Sequence, residues 1–171
     1  MTKSNSNKVT VVVTGLAWMG NGVRSINSLI EEKLPQAQNE IQVVAYRITK
    51  GSGEFLDWIV DCLNRGLRVT LVINRLEKQS LLIKNKLLKL VKTYSYFSLL
   101  DFSPENYLED LHAKIIVIDR SKALIGSSNI TWKGLVLNHE LGVFIDGPAA
   151  AKISSAIDLL GRDQRTKVIT R

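Results

Sequence analysis

Cysteine is nearly missing from this chain: Cys62 is the single one, so no disulfide can form within it and the compartment leans reducing. Histidine is almost as scarce, with only His112 and His139. So few soft ligands leave no cluster with metal-ligand spacing, and neither a metal nor a cofactor is expected. No apolar run is long enough to span a bilayer, and no signal-peptide core follows the polar start over 1–8. The chain therefore reads as soluble and cytoplasmic, without membrane insertion, unless a leader was removed. Negative charge is also short, at 16 Asp+Glu against 23 Lys+Arg, a net +7. Such a balance points to a polyanionic partner, although charge alone does not separate nucleic acid from an anionic lipid surface.

What is present is ordinary for a globular protein: 45% hydrophobic and 23% charged residues over 171 positions. That length can bury a core without disulfides or metals. No internal repeat, linker or low-complexity stretch divides it, so one domain is predicted over 1–171, with flexible ends at 1–8 and 162–171. Strand-like apolar runs alternate with helical patterns, the mark of an α/β fold. The expected architecture is a mixed, largely parallel sheet flanked by helices on both faces. Strands are predicted over 9–13, 41–46, 68–74, 94–100, 113–118, 123–125 and 140–145. Helices are predicted over 23–34, 54–65, 79–92 and 148–160. The helix over 54–65 has the cleanest apolar stripe, Phe55, Leu56, Trp58, Ile59, Val60, Cys62 and Leu63, with Ser52 to cap it and Gly66 to end it. Cys62 lies within that stripe and reads as buried and inert.

The informative segment begins at His112-Ala113-Lys114 and continues through Asp119, Gly126-Ser127-Ser128-Asn129 and Asn138-His139-Glu140. Side chains two apart on a strand share a face, so His112 and Lys114 face one site, while Asp119 falls behind it. The same alternation sets His139 away from Asn138 and Glu140. An imidazole can attack phosphorus when neutral and protonate a leaving oxygen when charged. Lys114 and Asn129 offer a cation and a fixed donor for non-bridging oxygens, and Ser127 can contact the same phosphate. Glu140 can hold the imidazole by its other nitrogen. The catalytic candidates are thus His112, Lys114, Asn129 and Glu140, the phosphate-binding ones Lys114, Ser127 and Asn129, and the structural ones Asp119 and Gly126.

His112-x-Lys114, four residues, Asp119, six residues, then Gly126-Ser127-x-Asn129 resembles the H-K-D motif of the phospholipase D superfamily, and Asn138-x-Glu140 resembles its trailing carboxylate. The strand at Val43-Val44-Ala45-Tyr46 and the Arg65-Gly66-Leu67-Arg68-Val69 segment resemble its first β-α-β unit. The resemblance implies a covalent phosphohistidine followed by hydrolysis, with no metal. That chemistry uses two copies of the motif, and this chain carries one. Short single-motif members, chiefly bacterial endonucleases and restriction nuclease domains, pair two chains, and a homodimer sharing one site is expected here.

The leading reading is therefore a metal-independent nuclease acting on DNA or RNA. A lipid phosphodiesterase is the first rival, because the same motif serves both chemistries. The second is a non-cleaving nucleic-acid-binding subunit of a larger defence or restriction assembly. Plainer readings apply elsewhere: the Lys50-Gly51-Ser52-Gly53 stretch caps a helix, the lysines over 78–92 form a solvated face, and of the tryptophans only Trp132 is placed near substrate.

Overall fold

Runs of valine, isoleucine and leucine form strands because their branched side chains pack well on a pleated surface. The structure, a computed structural model, describes residues 6–170 apart from 19, 21, 50, 52 and 107. Among the described residues the strands are β1 (Lys8–Thr14), β2 (Arg24–Ser25), β3 (Glu40–Ala45), β4 (Arg68–Asn74), β5 (Phe97–Phe102), β6 (Ile115–Ile118), β7 (Lys122–Gly126), β8 (Glu140–Asp146) and β9 (Thr166–Ile169). They join in one sheet in the order β2-β1-β8-β7-β6-β3-β4-β5-β9. The helices are α1 (Ile26–Lys33), α2 (Gly53–Asn64), α3 (Leu81–Thr93) and α4 (Pro148–Gly161).

The mixed sheet flanked by helices is as expected, but its parallel part is limited. Parallel ladders join β1 to β2, β3 to β4 and β4 to β5, and in the last two pairs α2 and α3 supply the crossovers. The other pairs, β1–β8, β3–β6, β5–β9, β6–β7 and β7–β8, are antiparallel. A three-residue connection from β6 to β7 leaves no room for a crossover, so the "largely parallel" expectation fails in this half of the sheet.

One sheet face, including Ile41, Val43, Val69, Leu71, Leu99 and Ile116, packs under α1, α2 and α3. The opposite face, through Val44, Val72, Leu100, Val117 and Ala123, packs under Ala150 and Ile157 of α4. A polar tie also holds α4: Ser154 Oγ donates to Gln42 Oε1 at 2.6 Å, and Gln42 Nε2 donates to Asp158 Oδ1 at 2.8 Å. Cys62 is buried in the first of these layers.

Several boundaries shift for local reasons. Ser25 accepts from Ser28 N, so α1 starts at Ile26 rather than at 23, and Pro35 sits inside a 3-10 turn at Leu34–Gln36. Ser80 accepts from Ile83 N, so α3 starts after Gln79, which is left as a buried polar residue. The Ser52 cap of α2 lies outside the described residues. The tail over 162–171 does not fray as a whole. Thr166–Ile169 pairs with β5, and Arg165 secures the turn before it by donating to Asp163 and to Glu109.

The β6–β7 turn is the most constrained connection. Asp119 and Arg120 both lie in the left-handed region, at φ 49° and 54°, as the central pair of the tight turn closed by Ser121 N donating to Ile118 O at 3.1 Å. The Asp119 carboxylate accepts from the backbone N–H of Gln38 (2.9 Å), Asn39 (2.7 Å) and Glu40 (3.0 Å), which fastens the hairpin to the start of β3. Partial burial pushes the Asp119 carboxyl up, but the N–H groups of Glu40, Gln38 and Asn39, with Lys122, outweigh it and leave it below the usual carboxylate range. Asp119→Asn should cost about 2 kcal/mol, since charge-assisted acceptors are lost, which for this length lowers the melting temperature by roughly 4–8 °C. Because the folded carboxyl is held low, its contribution is present at neutral pH and is lost as pH falls through the folded value. The gap in melting temperature between the two proteins should therefore close in acid; a constant gap from pH 7 to pH 2 would contradict this role.

Candidate active site

His112, Ala113 and Lys114 form an extended lead-in just before β6, whose pairing with β3 starts at Ile115. The ladder to β7 reaches one step further, since Gly126 N donates to Lys114 O at 3.3 Å. The lead-in thus keeps strand alternation, and it brings Lys114 Nζ to 2.9 Å from His112 Nδ1. The same ammonium donates to the His112 carbonyl at 2.6 Å. Tyr46, one residue beyond β3, sets its ring edge-on to the imidazole at 4.7 Å, and Lys114 Nζ lies 5.3 Å from that ring's centroid. Lys114 is only 8% exposed. Burial pulls its ammonium below the usual lysine range, and the negative charge of Glu140 opposes that pull.

The second half of the motif reaches the same end of the sheet. Ser127 Oγ donates to Glu140 Oε2, Asn138 Nδ2 donates to Glu140 Oε1 at 3.2 Å, and Leu141 N donates to Ser127 Oγ at 3.3 Å. Glu140 was expected to hold the imidazole, yet within one chain the described contacts give its carboxylate to Ser127 and Asn138, while Nδ1 of His112 faces Lys114. A β-bridge between Ile48 and Ile130, with Thr49 N donating to Ile130 O at 3.2 Å, binds the loop after β3 to the loop carrying Asn129. The Asn129 Oδ1 atom and the Thr14 Oγ1 atom are buried without a hydrogen-bond partner among the described residues, and Thr14 lies directly opposite Glu140 in the sheet. Buried polar atoms of this kind are uncommon and mark places where a ligand group can be received.

Gly126 borders this cluster through its N–H bond to Lys114 O, and Asp119 lies apart from it. Gly126 stands opposite Gly142, and a Cβ on it would fall 2.9 Å from Leu141 O, so β7 and β8 meet there only without a side chain. Asp119 is at the far end of β6, roughly 16 Å along the strand from Lys114. His139 is exposed, accepts from Ala17 N at 3.3 Å through Nε2, and meets Trp18 edge-on at 5.9 Å. Lys50 and Ser52 of the glycine-containing turn lie outside the described residues. Trp132 is 48% exposed and seated against Gly51, where a Cβ would lie 2.7 Å from its own Cβ.

Sequence reasoning missed Tyr46, Asn74, Arg75 and Gln79. The one usable signal was position: Tyr46 and Asn74 end the parallel strands β3 and β4, where α/β sheets gather their functional groups. Among the described residues no group of three or more His, Cys, Asp or Glu could hold a metal ion, and no helix is long and apolar enough to cross a membrane.

Residues 30–158 match the family described as cardiolipin synthase, PLD-like domain. The DISARM protein DrmC of Bacillus paralicheniformis is 25% identical over 148 residues, covering 86% of this chain and 61% of that protein. The chain thus spans less than two thirds of that relative. Nuc from Salmonella typhimurium, a phospholipase D family member, superposes with a TM-score of 0.71 at 20% identity, covering 97% of this chain and all of the other. NucT from Helicobacter pylori gives 0.68 at 15% identity, over 89% of this chain and 93% of the other.

The electrostatics of the cluster can be tested without any substrate. In a side-chain nitrogen NMR titration Lys114 should deprotonate below the surface lysines, and Glu140→Gln should lower it further by removing the one opposing charge. A Lys114 signal that titrates with the surface lysines in both proteins would contradict this placement.

Proposed function

The chain belongs to the phospholipase D-like domain family, and from that premise we propose that it is a metal-independent phosphodiesterase cleaving DNA or RNA in a site shared by two identical chains. The observation that carries this reading is the buried Lys114 ammonium 2.9 Å from the imidazole of the motif histidine. A cation so placed is positioned for the non-bridging oxygens of a phosphodiester bound over His112.

With Lys114 protonated, its contact requires His112 Nδ1 to accept, so a neutral ring carries its proton on Nε2 and is not yet nucleophilic there. A phosphate oxygen is a better acceptor for the ammonium. Drawing Lys114 onto the phosphate frees Nδ1 to take the proton and leaves the Nε2 lone pair available. In the proposed reaction Nε2 forms a bond to phosphorus, the bond to the leaving oxygen breaks, and that oxygen takes a proton from the imidazole of the second copy. Water, deprotonated by that second imidazole, then displaces His112 from phosphorus and restores both rings. Asn129 and Ser127 are assigned to the phosphate, and Glu140 to the charge balance of Lys114.

Support for nucleic acid as substrate comes from the net charge of +7 and from exposed Arg47, Trp132 and Lys133 on the two bridged loops, which offer cations and a stacking surface. Support for the dimer comes from the single motif and from an apolar strip on β1 and β8, where Val9, Val11 and Leu141 are about half exposed. Two rivals keep a specific observation each. The family description names cardiolipin synthase, which favours a lipid phosphodiester. The likeness to a DISARM protein favours a nucleic-acid-binding subunit of a larger defence assembly.

Incubation with single- and double-stranded DNA, RNA and anionic phospholipid vesicles in excess EDTA separates these readings. Nucleic acid should be cut with EDTA present; cleavage lost on chelation and restored by magnesium would sink the histidine mechanism. His112→Ala should abolish turnover and Lys114→Ala should be comparably severe, with a smaller loss for Glu140→Gln. In single-turnover measurements, His112→Ala retaining more than a trace of the wild-type rate would exclude the covalent route.

The shared site gives a separate expectation. Light scattering at micromolar concentration should report twice the mass of one chain. Mixing inactive His112→Ala with an excess of wild-type chains should poison activity in proportion to mixed pairs. A monomer that cleaves at the full rate would contradict the shared site.

A further inference from the structure

We propose that Asn74 and Arg75, at the end of β4, are positioning residues that set the imidazole of His112, an inference that rests on the phosphodiesterase reading of that site.

The observation begins with a charge in an unusual place. Arg75 is 2% exposed and lies in the left-handed region at φ 43°. A guanidinium cannot shed its proton, so it is tolerated in an interior only where acceptors surround it. Here the surrounding acceptors belong to the segment just before the motif. Nη1 donates to Pro104 O at 3.1 Å, and Nη2 donates to Asn106 O at 2.8 Å and to Glu109 O at 3.1 Å. Nε donates to Asp110 Oδ1 at 3.3 Å. One side chain thus fixes the backbone leading to His112 at three carbonyls and one carboxylate. A planar donor fork satisfies several acceptors at once, which a lysine in the same place cannot do.

Asn74 completes the link. Its amide Nδ2 donates to Asp110 Oδ1 at 3.1 Å, and its Oδ1 accepts from Leu111 N at 2.8 Å. Leu111 is the residue before His112, and its own side chain packs into the core layer under α4. The backbone entering His112 is therefore held from β4, while the ring is held from β3 by Tyr46 and the carbonyl by Lys114.

The two strand ends are also held to each other. Gln79 Nε2 donates to Asn74 O at 2.9 Å and to Tyr46 O at 3.2 Å, and Ile48 N donates to Gln79 Oε1 at 3.2 Å. Tyr46 and Asn74, the two supports of His112, keep a fixed separation through this one buried amide. Neither Asn74 nor Arg75 contacts the cluster of His112, Lys114, Ser127 and Glu140 in the hydrogen bonds described, so both act through the backbone of 110–112.

The test compares Asn74→Ala with the double change Asn74→Asp and Asp110→Asn. The double variant keeps an acceptor for Leu111 N and a donor–acceptor pair across positions 74 and 110, with the direction reversed. Turnover of bis(p-nitrophenyl) phosphate is measured beside the NMR signals of both histidine rings. Asn74→Ala should lower kcat by about 10–100-fold with KM changed by less than about threefold, as misplacement of a reacting group does. The His112 ring signals should lose the shift imposed by Tyr46, while those of His139 stay put. The double variant should return kcat to within about fivefold of wild type. Arg75→Lys should act in the same direction, and should it fail to fold, the Asn74 set still decides. Wild-type kcat with wild-type His112 signals in Asn74→Ala would overturn the proposal. So would a loss of kcat with unmoved His112 signals, or a loss that the double variant fails to restore. If the unaltered protein turns over no phosphodiester, the functional reading falls, and the ring signals alone still report whether Asn74 positions His112.

Discussion

The Asp119 carboxylate takes three backbone N–H groups at the entrance to β3, and the register of β6 against β3 depends on that contact. β6 has only four residues, too few to fix its own register strongly by side-chain pattern. Pinning the turn at its far end decides which residues lie opposite one another along its whole length. With Ile118 opposite Ile41, Ile115 must fall opposite Val44, and the lead-in carries His112 to Tyr46. A slip of one residue would exchange the faces, turning Lys114 from the layer under α1 to the layer under α4. The Asp119 carboxylate thus governs the site from the opposite end of the strand, without touching it.

Part of this was legible in the sequence, because the unbroken apolar run of β6 marks a buried strand and side chains two apart on its extended lead-in share a side. Counting by two pairs His112 with Lys114, whereas Asp119 is set apart for another reason: it lies in the β6–β7 turn at φ 49°, at the far end of β6, where strand alternation no longer applies. The sheet's mixed character was also legible, but the extent of antiparallel pairing was not. Hydrophobic runs tell that a strand is buried, not which way its neighbour runs. The pairing of β9 was hidden for a different reason: Thr166–Ile169 lies among charged residues and reads as a tail. It is held at the edge by Arg165 contacts to residues 109 and 163 that no local pattern announces.

Arg75 was hidden most completely. An arginine after a strand reads as a surface residue, since charged side chains are almost never fully buried unless paired. Its partners are backbone carbonyls more than twenty-five residues away, and carbonyl groups carry no sequence signature. The same holds for Gln79, which helical periodicity assigned to the start of α3. Polar residues that serve backbone groups become visible only when the backbone has a shape. This is why candidates for the proposed reaction could be named from the sequence and the residues that hold them could not.

Burial of Lys114 gives the last step. An ammonium at 8% exposure has lost most of its water, and the contacts described for it are two acceptors on His112 and the face of Tyr46. That set is adequate for a resting cation but weak by the standard of an anionic oxygen, which binds an ammonium about twice as strongly as a neutral acceptor does. The carboxylate that could satisfy it, Glu140, is held instead by Ser127 and Asn138 and acts on Lys114 only through space. Keeping the carboxylate off the lysine leaves the lysine undersatisfied, and an undersatisfied buried cation has most to gain from a bound phosphodiester. The hydrogen bonds of Ser127 and Asn138 to Glu140 are therefore as much a part of the proposed phosphate site as Lys114 itself. They hold the competing anion aside, close enough to oppose the effect of burial on the ammonium and not so close as to occupy it.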